Sequence, residues 1–208
     1  VPPESVGASR RILLSEISGR GALITKIRAV VPEMTRDSPF VGELLDELKR
    51  MESHGYQFEG ADASFELLVR RKLGLVKSYF DFREYKVVGC DPSDAGHTAT
   101  AMVRMIVGGV EEITAADGDG PVNALDRAAR KALERFYPEL AEMRLTDFKV
   151  RVITAKGTAS GVRVMIESTD GRMSWTTVGV DSDILKASSR ALMDSLVFKL
   201  LKGDLEKE

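Results

Sequence analysis

Residues 98–138 read TATAMVRMIVGGVEEITAADGDGPVNALDRAARKALERFYP, and they carry the clearest signals of architecture in the chain. Thr98 to Val107 is rich in β-branched and other apolar residues, which predicts a β-strand. Gly108-Gly109 then predicts a turn, and Val110 to Ala115 predicts the returning strand of a hairpin. A helix is expected to begin at Pro121, since proline is favoured in the first helical turn.

The predicted helix has apolar residues at helical spacing and is ended by Pro138. Its expected apolar stripe is Val122, Leu125, Ala128, Ala129, Ala132, Leu133 and Phe136. One further strand is predicted upstream, from Phe82 to Val88. Residues 79–140 therefore predict one βββα unit, because three strands are followed by one amphipathic helix.

The same order of elements recurs downstream. Residues around Phe148 to Val152 alternate as a strand, Val162 to Ile166 and Met173 to Gly179 flank an Asp170-Gly171 turn, and a helix is predicted from Asp183 to Leu201. The helix starts at Val122 and Ile184 lie 62 positions apart (184 − 122), whereas Arg104 and Arg163 pair the second strands at 59. We therefore expect residues 145–202 to be a second βββα unit, with loops that absorb the difference.

The first third of the chain predicts helices. Apolar positions indicate a helical segment from Arg10 to Val30 and a helix from Ser38 to Gly55, and Ser64 precedes a third that ends near Gly74. The predicted fold class is α+β, with a helical linker subdomain at residues 1–78 followed by a duplicated βββα domain at residues 79–208.

Composition excludes several classes of function. The net charge of −2 gives no bulk attraction for nucleic acid or anionic membrane, and no apolar run could cross a bilayer. Cys90 is the only cysteine, which excludes an internal disulfide, fits a reducing cytoplasm and predicts a small buried side chain. His54 and His97 are the only histidines, so no metal site is expected.

Two loops before the helices could hold a small ligand. Asp117-Gly118-Asp119-Gly120-Pro121 and Gly179-Val180-Asp181-Ser182-Asp183 both lead into a helix, the second with Ser182 as the expected N-cap. Amide groups at a helix start hold a carboxylate, and a carboxylate such as Asp119 or Asp181 can hold an ammonium group. An aliphatic side chain would lie against neighbouring apolar residues: Val122, Ala124, Ile184 and Ala187. On these residues alone, simple capping of the helices is the more common use of such turns.

Four motifs carry a resemblance to a known family. Asp119 to Leu125 resembles the GxGPVxA segment of the isopropylmalate and citramalate synthase regulatory domain, and Trp175 to Ser188 resembles its second half. Ser18-Gly19-Arg20 is similar to the segment after the family's catalytic barrel, and Gly55 to Leu68 is more like the citramalate branch. The resemblance covers nearly the whole chain.

The resemblance implies a homodimeric regulatory region that binds a branched-chain amino acid, isoleucine or else leucine, as a feedback inhibitor. The implied contacts with this effector come from both loops: Gly118, Asp119, Gly120, Pro121, Val122, Ala124, Val180, Asp181, Ile184 and Ala187. Acetyl-CoA and a divalent metal would bind in a barrel that this chain lacks, so the chain alone is expected to be inactive. Arg20 would either contact that barrel or brace the helical subdomain.

Three alternatives remain at this point. The chain could be a purely structural dimerisation element whose pocket binds no amino acid. The chain could instead be the leucine-sensing regulatory region of an isopropylmalate synthase. Three strands followed by a helix also resemble the element order of a double-stranded-RNA-binding module. That function needs a basic patch at the helix starts, whereas this sequence places Asp117, Asp119, Asp181 and Asp183 there.

Overall fold

Two three-stranded antiparallel sheets, each followed by a helix, form the larger part of the molecule. The computed structural model describes residues 20–91, 96–153 and 160–207. Helices α1 (Arg20–Val30), α2 (Pro39–Ser53) and α3 (Asp62–Lys72) come first. The elements that follow are β1 (Phe80–Gly89), β2 (Ala99–Val107), β3 (Val110–Gly118), α4 (Pro121–Leu133), a 3₁₀ turn (Pro138–Glu142), β4 (Arg144–Val152), β5 (Val162–Thr169), β6 (Ser174–Asp181) and α5 (Ile184–Leu205). The fold class is α+β, as predicted.

The first unit comprises β1, β2, β3 and α4. The strands pair in the order β1-β2-β3, and alternate residues of β2 are fully buried against α4. The helix contributes small side chains to this contact, including Ala124, Ala128 and Ala132, which lets it approach the sheet closely. The Thr114 hydroxyl donates a 2.7 Å hydrogen bond to the carbonyl of Ala128, so β3 and α4 are also joined by a polar contact.

The second unit repeats this arrangement with β4, β5, β6 and α5. The Thr177 hydroxyl donates to the carbonyl of Ala191 at 2.7 Å, as Thr114 does in the first unit. A buried polar cluster is added beneath α5, where Trp175 Nε1 donates to Ser195 Oγ at 2.8 Å. Trp175 is therefore a core residue, and its one polar atom is satisfied inside the core.

A single offset of 63 residues relates the two units throughout. The first residues of α4 and α5, Pro121 and Ile184, lie 63 positions apart (184 − 121). The same offset relates the paired threonines, and it relates the register shift at Phe82/Glu84 in β1 to the shift at Leu145/Asp147 in β4. The predicted offsets of 62 and 59 are wrong, because apolar patterns do not mark strand register as the hydrogen-bonded pairs do.

The helices α1 to α3 have their own cluster of buried apolar residues and pack on the second unit. Ser64, expected before α3, lies inside that helix, where its buried hydroxyl accepts a 2.9 Å hydrogen bond from the Val178 amide of β6. Arg163 of β5 donates to the Gly55 carbonyl, and Lys202 of α5 lies 2.8 Å from Glu66 of α3. The helical segment therefore covers the edge and the outer face of the second sheet.

The outer face of the first sheet lacks such a cover among the described residues. With the 63-residue offset, Val178 and Val180 of β6 correspond to Ala115 and Asp117 of β3. The two valines are 2% and 7% exposed, whereas Ala115 and Asp117 are exposed. The two units thus share a backbone plan but differ in what packs behind their sheets.

Several predictions can be compared with these elements. The six strands and the helices α2 to α5 occur where the sequence placed them, within a few residues at each end. The part of the predicted first helix before Arg20 lies outside the described residues. Cys90 is exposed directly after the end of β1, so the expectation of a buried thiol is wrong.

Candidate functional site

The turn between β3 and α4 leaves the start of its helix without a side-chain cap. Gly118 is buried against α4, where an added Cβ would lie 2.8 Å from the Ala124 Cα atom and would collide with the Ala124 amide. The Thr98 hydroxyl donates to the Asp119 carbonyl at 2.7 Å, and the Asp119 amide donates to Asn123 Oδ1 at 3.2 Å. These bonds fix the shape of the turn, but none of them caps the first amides of α4.

Gly120 is the N-cap residue of α4, in extended conformation, and it has no side chain to accept from those amides. Pro121 follows and has no N–H group of its own, so the first amides of the helix belong to Val122 and Asn123. Unsatisfied amides at a helix start concentrate partial positive charge. This end of α4 is therefore suited to an external carboxylate.

The turn between β6 and α5 satisfies its own amides. Asp183 is the N-cap, and its carboxylate accepts from the Leu185 and Lys186 amides at 2.7 and 3.3 Å. The Asp181 carboxylate accepts from the Asp183 amide at 3.1 Å and lies 2.8 Å from Arg190. Partial burial would raise the pKa of Asp181, but the bonds from the Asp183 amide and the charge of Arg190 outweigh it and lower the pKa.

The predicted N-cap of this second helix, Ser182, is wrong. The Ser182 side chain is exposed, while the Asp183 carboxylate one residue later reaches two amides of α5. Both residue types are good N-caps, so the sequence alone did not separate them. The structure identifies the cap by which side chain reaches the second and third helical residues.

The 63-residue offset makes the difference between the two turns explicit. Gly118 and Gly120 of the first turn correspond to Asp181 and Asp183 of the second. Where the second unit has two carboxylates that bind its own backbone amides, the first unit has two glycines. An external carboxylate at α4 would take the place that the Asp183 side chain takes at α5.

The ten predicted effector contacts do not all lie on accessible surface. Asp119 and Pro121 are exposed, Gly120 and Val122 are half-buried, and Ile184 is 45% exposed. Gly118, Ala124 and Ala187 are buried in the packing between sheet and helix. Arg20 is the first residue of α1. The accessible part of the first predicted turn is therefore residues 119–122.

Val180 and Asp181, the two remaining predicted contacts, line a cavity of about 490 Å³. Its other walls come from α2, the Tyr56 region, α3 and the segment around Ile153. This cavity was not predicted. Its lining comes from segments more than a hundred residues apart, and nothing local in the sequence marks them as neighbours.

A row of apolar side chains on β4 is also exposed. Phe148, Val150 and Val152 are 37%, 41% and 61% exposed, although their partners Ile166, Val164 and Val162 belong to the face that packs on α5. The row thus lies on the inner face of the second sheet, beyond the part that α5 covers. Exposed apolar rows of this kind mark surfaces that contact other molecules.

Metal-binding clusters and membrane-spanning helices are both absent from the described ranges, 20–91, 96–153 and 160–207. No group of three or more histidine, cysteine, aspartate or glutamate side chains in these ranges is arranged to hold a metal ion. None of the helices in the same ranges is long and apolar enough to span a bilayer.

Two βββα repeats, one with an open and one with a self-capped helix start, define a duplicated α+β domain. The sequence assigns it further. Residues 59–200 match the family described as the LeuA allosteric (dimerisation) domain, and the chain belongs to that family.

Three relatives that are similar to this chain are each named (R)-citramalate synthase. It is 49% identical over 208 residues to (R)-citramalate synthase of Aquifex aeolicus (strain VF5), covering 99% of this chain and 39% of the relative. It is 47% identical over 204 residues to the (R)-citramalate synthase of Geobacter sulfurreducens, covering 97% of this chain and 39% of that relative. The Streptomyces coelicolor (R)-citramalate synthase is 39% identical over 205 residues, covering 98% and 38% respectively.

These matches confirm the family that the sequence motifs indicated, including its citramalate branch. The chain spans about 39% of the length of these relatives.

Proposed function

We propose that this chain is the allosteric and dimerisation region of a citramalate synthase-type acyltransferase. The whole enzyme would condense acetyl-CoA with pyruvate, an early step toward isoleucine, in a metal-dependent barrel outside this chain. Neither acetyl-CoA nor the metal is assigned to residues of this chain. The proposed effector is a branched-chain amino acid, isoleucine first and leucine second, which would inhibit the enzyme from a distance. The proposed compartment is the cytoplasm, in keeping with Cys90 as the single cysteine.

The open start of α4 is the observation that carries this proposal. An α-amino acid has one carboxylate, and the Val122 and Asn123 amides offer it a site without a competing side-chain cap. Asp119 is exposed beside those amides and could hold the ammonium group. In this proposal the second turn does not bind the carboxylate, because Asp183 already occupies its amides.

The exposed apolar row on β4 supports the proposed dimer. Phe148, Val150 and Val152 would be covered by a second copy of the chain, since a stable interface has an apolar centre. A ligand that binds one arrangement of the two subunits more tightly than another would favour that arrangement. Allosteric coupling between sites is typically about 1–3 kcal/mol.

A thermal-shift panel of the twenty amino acids tests the proposed effector. A ligand that binds only the folded state raises the melting temperature, and we expect isoleucine to give the largest rise. A larger rise with leucine would make leucine, not isoleucine, the preferred effector. No rise with isoleucine, leucine or valine at millimolar concentration would contradict the proposal.

Asn123→Asp tests where the effector binds. The variant keeps an acceptor for the Asp119 amide and adds a negative charge at the third residue of α4, which the helix dipole favours. We therefore expect a fold of unchanged or higher stability that binds isoleucine at least about tenfold more weakly, because like charges repel.

Lys186→Gln is the matched control, since it also lowers the charge at the third residue of a helix by one, and the Lys186 amide already donates to Asp183. It should bind isoleucine as the wild type does. Equal losses in the two variants would argue against a carboxylate site at α4 and for a general effect of charge.

A further inference from the structure

The cavity lined by Val180 and Asp181 lies between the helical segment and the second βββα unit. It has a volume of about 490 Å³, which lies in the range of sites for small ligands. One wall is the end of α2 with Tyr56, and the opposite wall is the β6–α5 turn from Val180 to Ser182. Leu68 of α3 and Ile153, directly after β4, complete it.

The floor of this cavity is apolar and is held in place by close packing. Met51, Tyr56, Leu68, Ile153 and Val180 provide it. Tyr56 stacks on Phe58 with ring centroids 6.0 Å apart, and Phe58 is 2% exposed. Ile153 packs directly against Gly55, which has a φ of +98° and leaves no room there for a side chain.

The rim of the cavity carries balanced charge. Arg190 is oriented by Asp181 at 2.8 Å and by a hydrogen bond to the Val180 carbonyl. The Arg50 side chain is 67% exposed and makes a long 3.5 Å ion pair with Glu47, whose other oxygen lies 2.9 Å from Lys72. Two guanidinium groups and two carboxylates thus surround an apolar floor, an arrangement that offers partners to both charges of a zwitterion.

The geometry points to a second ligand site in this cavity, for an apolar α-amino acid. Its carboxylate would bind the Arg50 guanidinium, its ammonium group would face Asp181 or Glu47, and its side chain would lie on the floor between Met51 and Val180. A ligand with one charge alone would contact only the guanidinium groups or only the carboxylates of the rim. This site goes beyond the turn of α4, and its existence does not depend on that turn.

The position of the site gives it a regulatory consequence. A bound amino acid contacts α2 on one side and the β6–α5 turn on the other, so it adds a bridge between the helical segment and the second unit. Direct links already join these parts, including Arg71–Asp194 at 2.7 Å and Lys202–Glu66 at 2.8 Å. Occupancy would restrict the remaining relative movement of the two parts, which is how a ligand shifts a conformational equilibrium.

Calorimetry tests the proposal. Leucine, isoleucine, valine, methionine and phenylalanine are each titrated into the wild type and into the Arg50→Ala variant. Loss of a charge-assisted contact should weaken the binding at this site about tenfold or more. Lys49→Ala is the matched control, because Lys49 is the neighbouring exposed cation on α2 and does not line the cavity. An affinity that Arg50→Ala leaves unchanged at every site would overturn the proposal.

Two analogues of leucine test the need for both charges. The 2-oxo acid 4-methyl-2-oxopentanoate lacks the ammonium group, and 3-methylbutylamine lacks the carboxylate. Both should bind at least about tenfold more weakly than leucine. Equal affinity of either analogue at the site that Arg50→Ala affects would contradict recognition of a zwitterion.

NMR spectra of the protein with methyl-labelled methionines locate the bound ligand. We expect the Met51 signal to shift on addition of leucine, while that of Met102, on the outer face of the first sheet, stays in place. In the Asn123→Asp variant the Met51 shift should remain even though binding at α4 is lost. A Met51 shift that disappears in that variant, or one that is absent in the wild type, would overturn this second site. The proposed function is tested separately, by the change in isoleucine affinity that Asn123→Asp produces.

Discussion

The two βββα units share one backbone plan and one 63-residue offset, yet their helices begin in opposite ways. In the second unit the Asp183 carboxylate binds the first amides of α5, and Asp181 braces the turn through Arg190. In the first unit the corresponding residues are Gly120 and Gly118, and no side chain caps α4. The comparison shows one turn that satisfies the first amides of its helix and one that leaves them without a side-chain cap.

The outer faces of the two sheets also differ, because only that of the second sheet is covered. Val178 and Val180 of the second sheet are buried under the helical segment, whereas the corresponding Ala115 and Asp117 are exposed. The second unit is thus tied to the rest of the chain on its outer face. We expect substitutions there to act mainly on stability, and those at the first turn to act mainly on binding.

Gly179→Ala should have the largest effect on stability. A Cβ at this position would collide with the Ala187 carbonyl and lie 2.9 Å from the Ala191 amide, so β6 and α5 would have to separate. Overpacking of this kind costs about 2–3 kcal/mol of unfolding free energy, which urea denaturation would measure. The first unit has Ala116 at the corresponding position, so the same methyl group is accommodated there.

Gly203→Ala is the control for this variant, because Gly203 lies within α5 with open space around it. It should raise stability by about 0.5–1 kcal/mol. A Gly179→Ala protein as stable as the wild type would show that α5 packs on its sheet less closely than these distances require.

Asp170→Asn tests a difference between the β2–β3 hairpin and the β5–β6 hairpin. The β5–β6 turn is tied to α5 through Asp170, 2.6 Å from Lys199, whereas the β2–β3 turn consists of Gly108 and Gly109. Burial opposes the charge of Asp170, but the bonds from Lys199 and from the Met173 and Arg172 amides lower its pKa to about 2.

Because the pKa of Asp170 is lower in the folded protein than its ordinary value near 4, the carboxylate stabilises the fold above that value. This contribution is lost as pH falls from about 4 to about 2. We expect Asp170→Asn to lower the unfolding free energy by about 2 kcal/mol at pH 7, and by much less near pH 2. A difference between the two proteins that does not change with pH would contradict the ion pair.

Asp183→Ala should have a smaller effect. It removes the cap from α5 and should cost about 1 kcal/mol of unfolding free energy. It also makes the second turn resemble the first, so weak binding of a carboxylate ligand at α5 could appear in calorimetry. No loss of stability would show that the Asp183 bonds to Leu185 and Lys186 are of little importance.

The order of elements and the family could be predicted from the sequence because both rest on local patterns. The β-branched and apolar residues of Ala99–Val107 mark a strand and the apolar spacing of Pro121–Leu133 marks a helix, and the structure confirms both elements. Pro121 also marked its helix start correctly, because a proline fixes the backbone at that residue.

Features that depend on distant contacts could not be predicted in this way. The sequence places Ser64 just before the third helix, but Ser64 lies inside α3 as a partner of β6. Ser182 and Asp183 are both good caps, and only their geometry separates them. The cavity at Val180 unites α2 with a turn more than a hundred residues later, a proximity that no local pattern encodes.

Calorimetry of isoleucine binding to the wild type and to Gly120→Asp decides whether the open start of α4 is the effector site. Gly120 has extended backbone, and a Cβ added there would have no other atom within 4 Å, so an aspartate fits and would cap α4 as Asp183 caps α5. We predict stability that is unchanged or a few tenths of a kcal/mol higher, together with loss of isoleucine binding at α4. A Gly120→Asp protein that binds isoleucine as tightly as the wild type would show that the effector does not bind there.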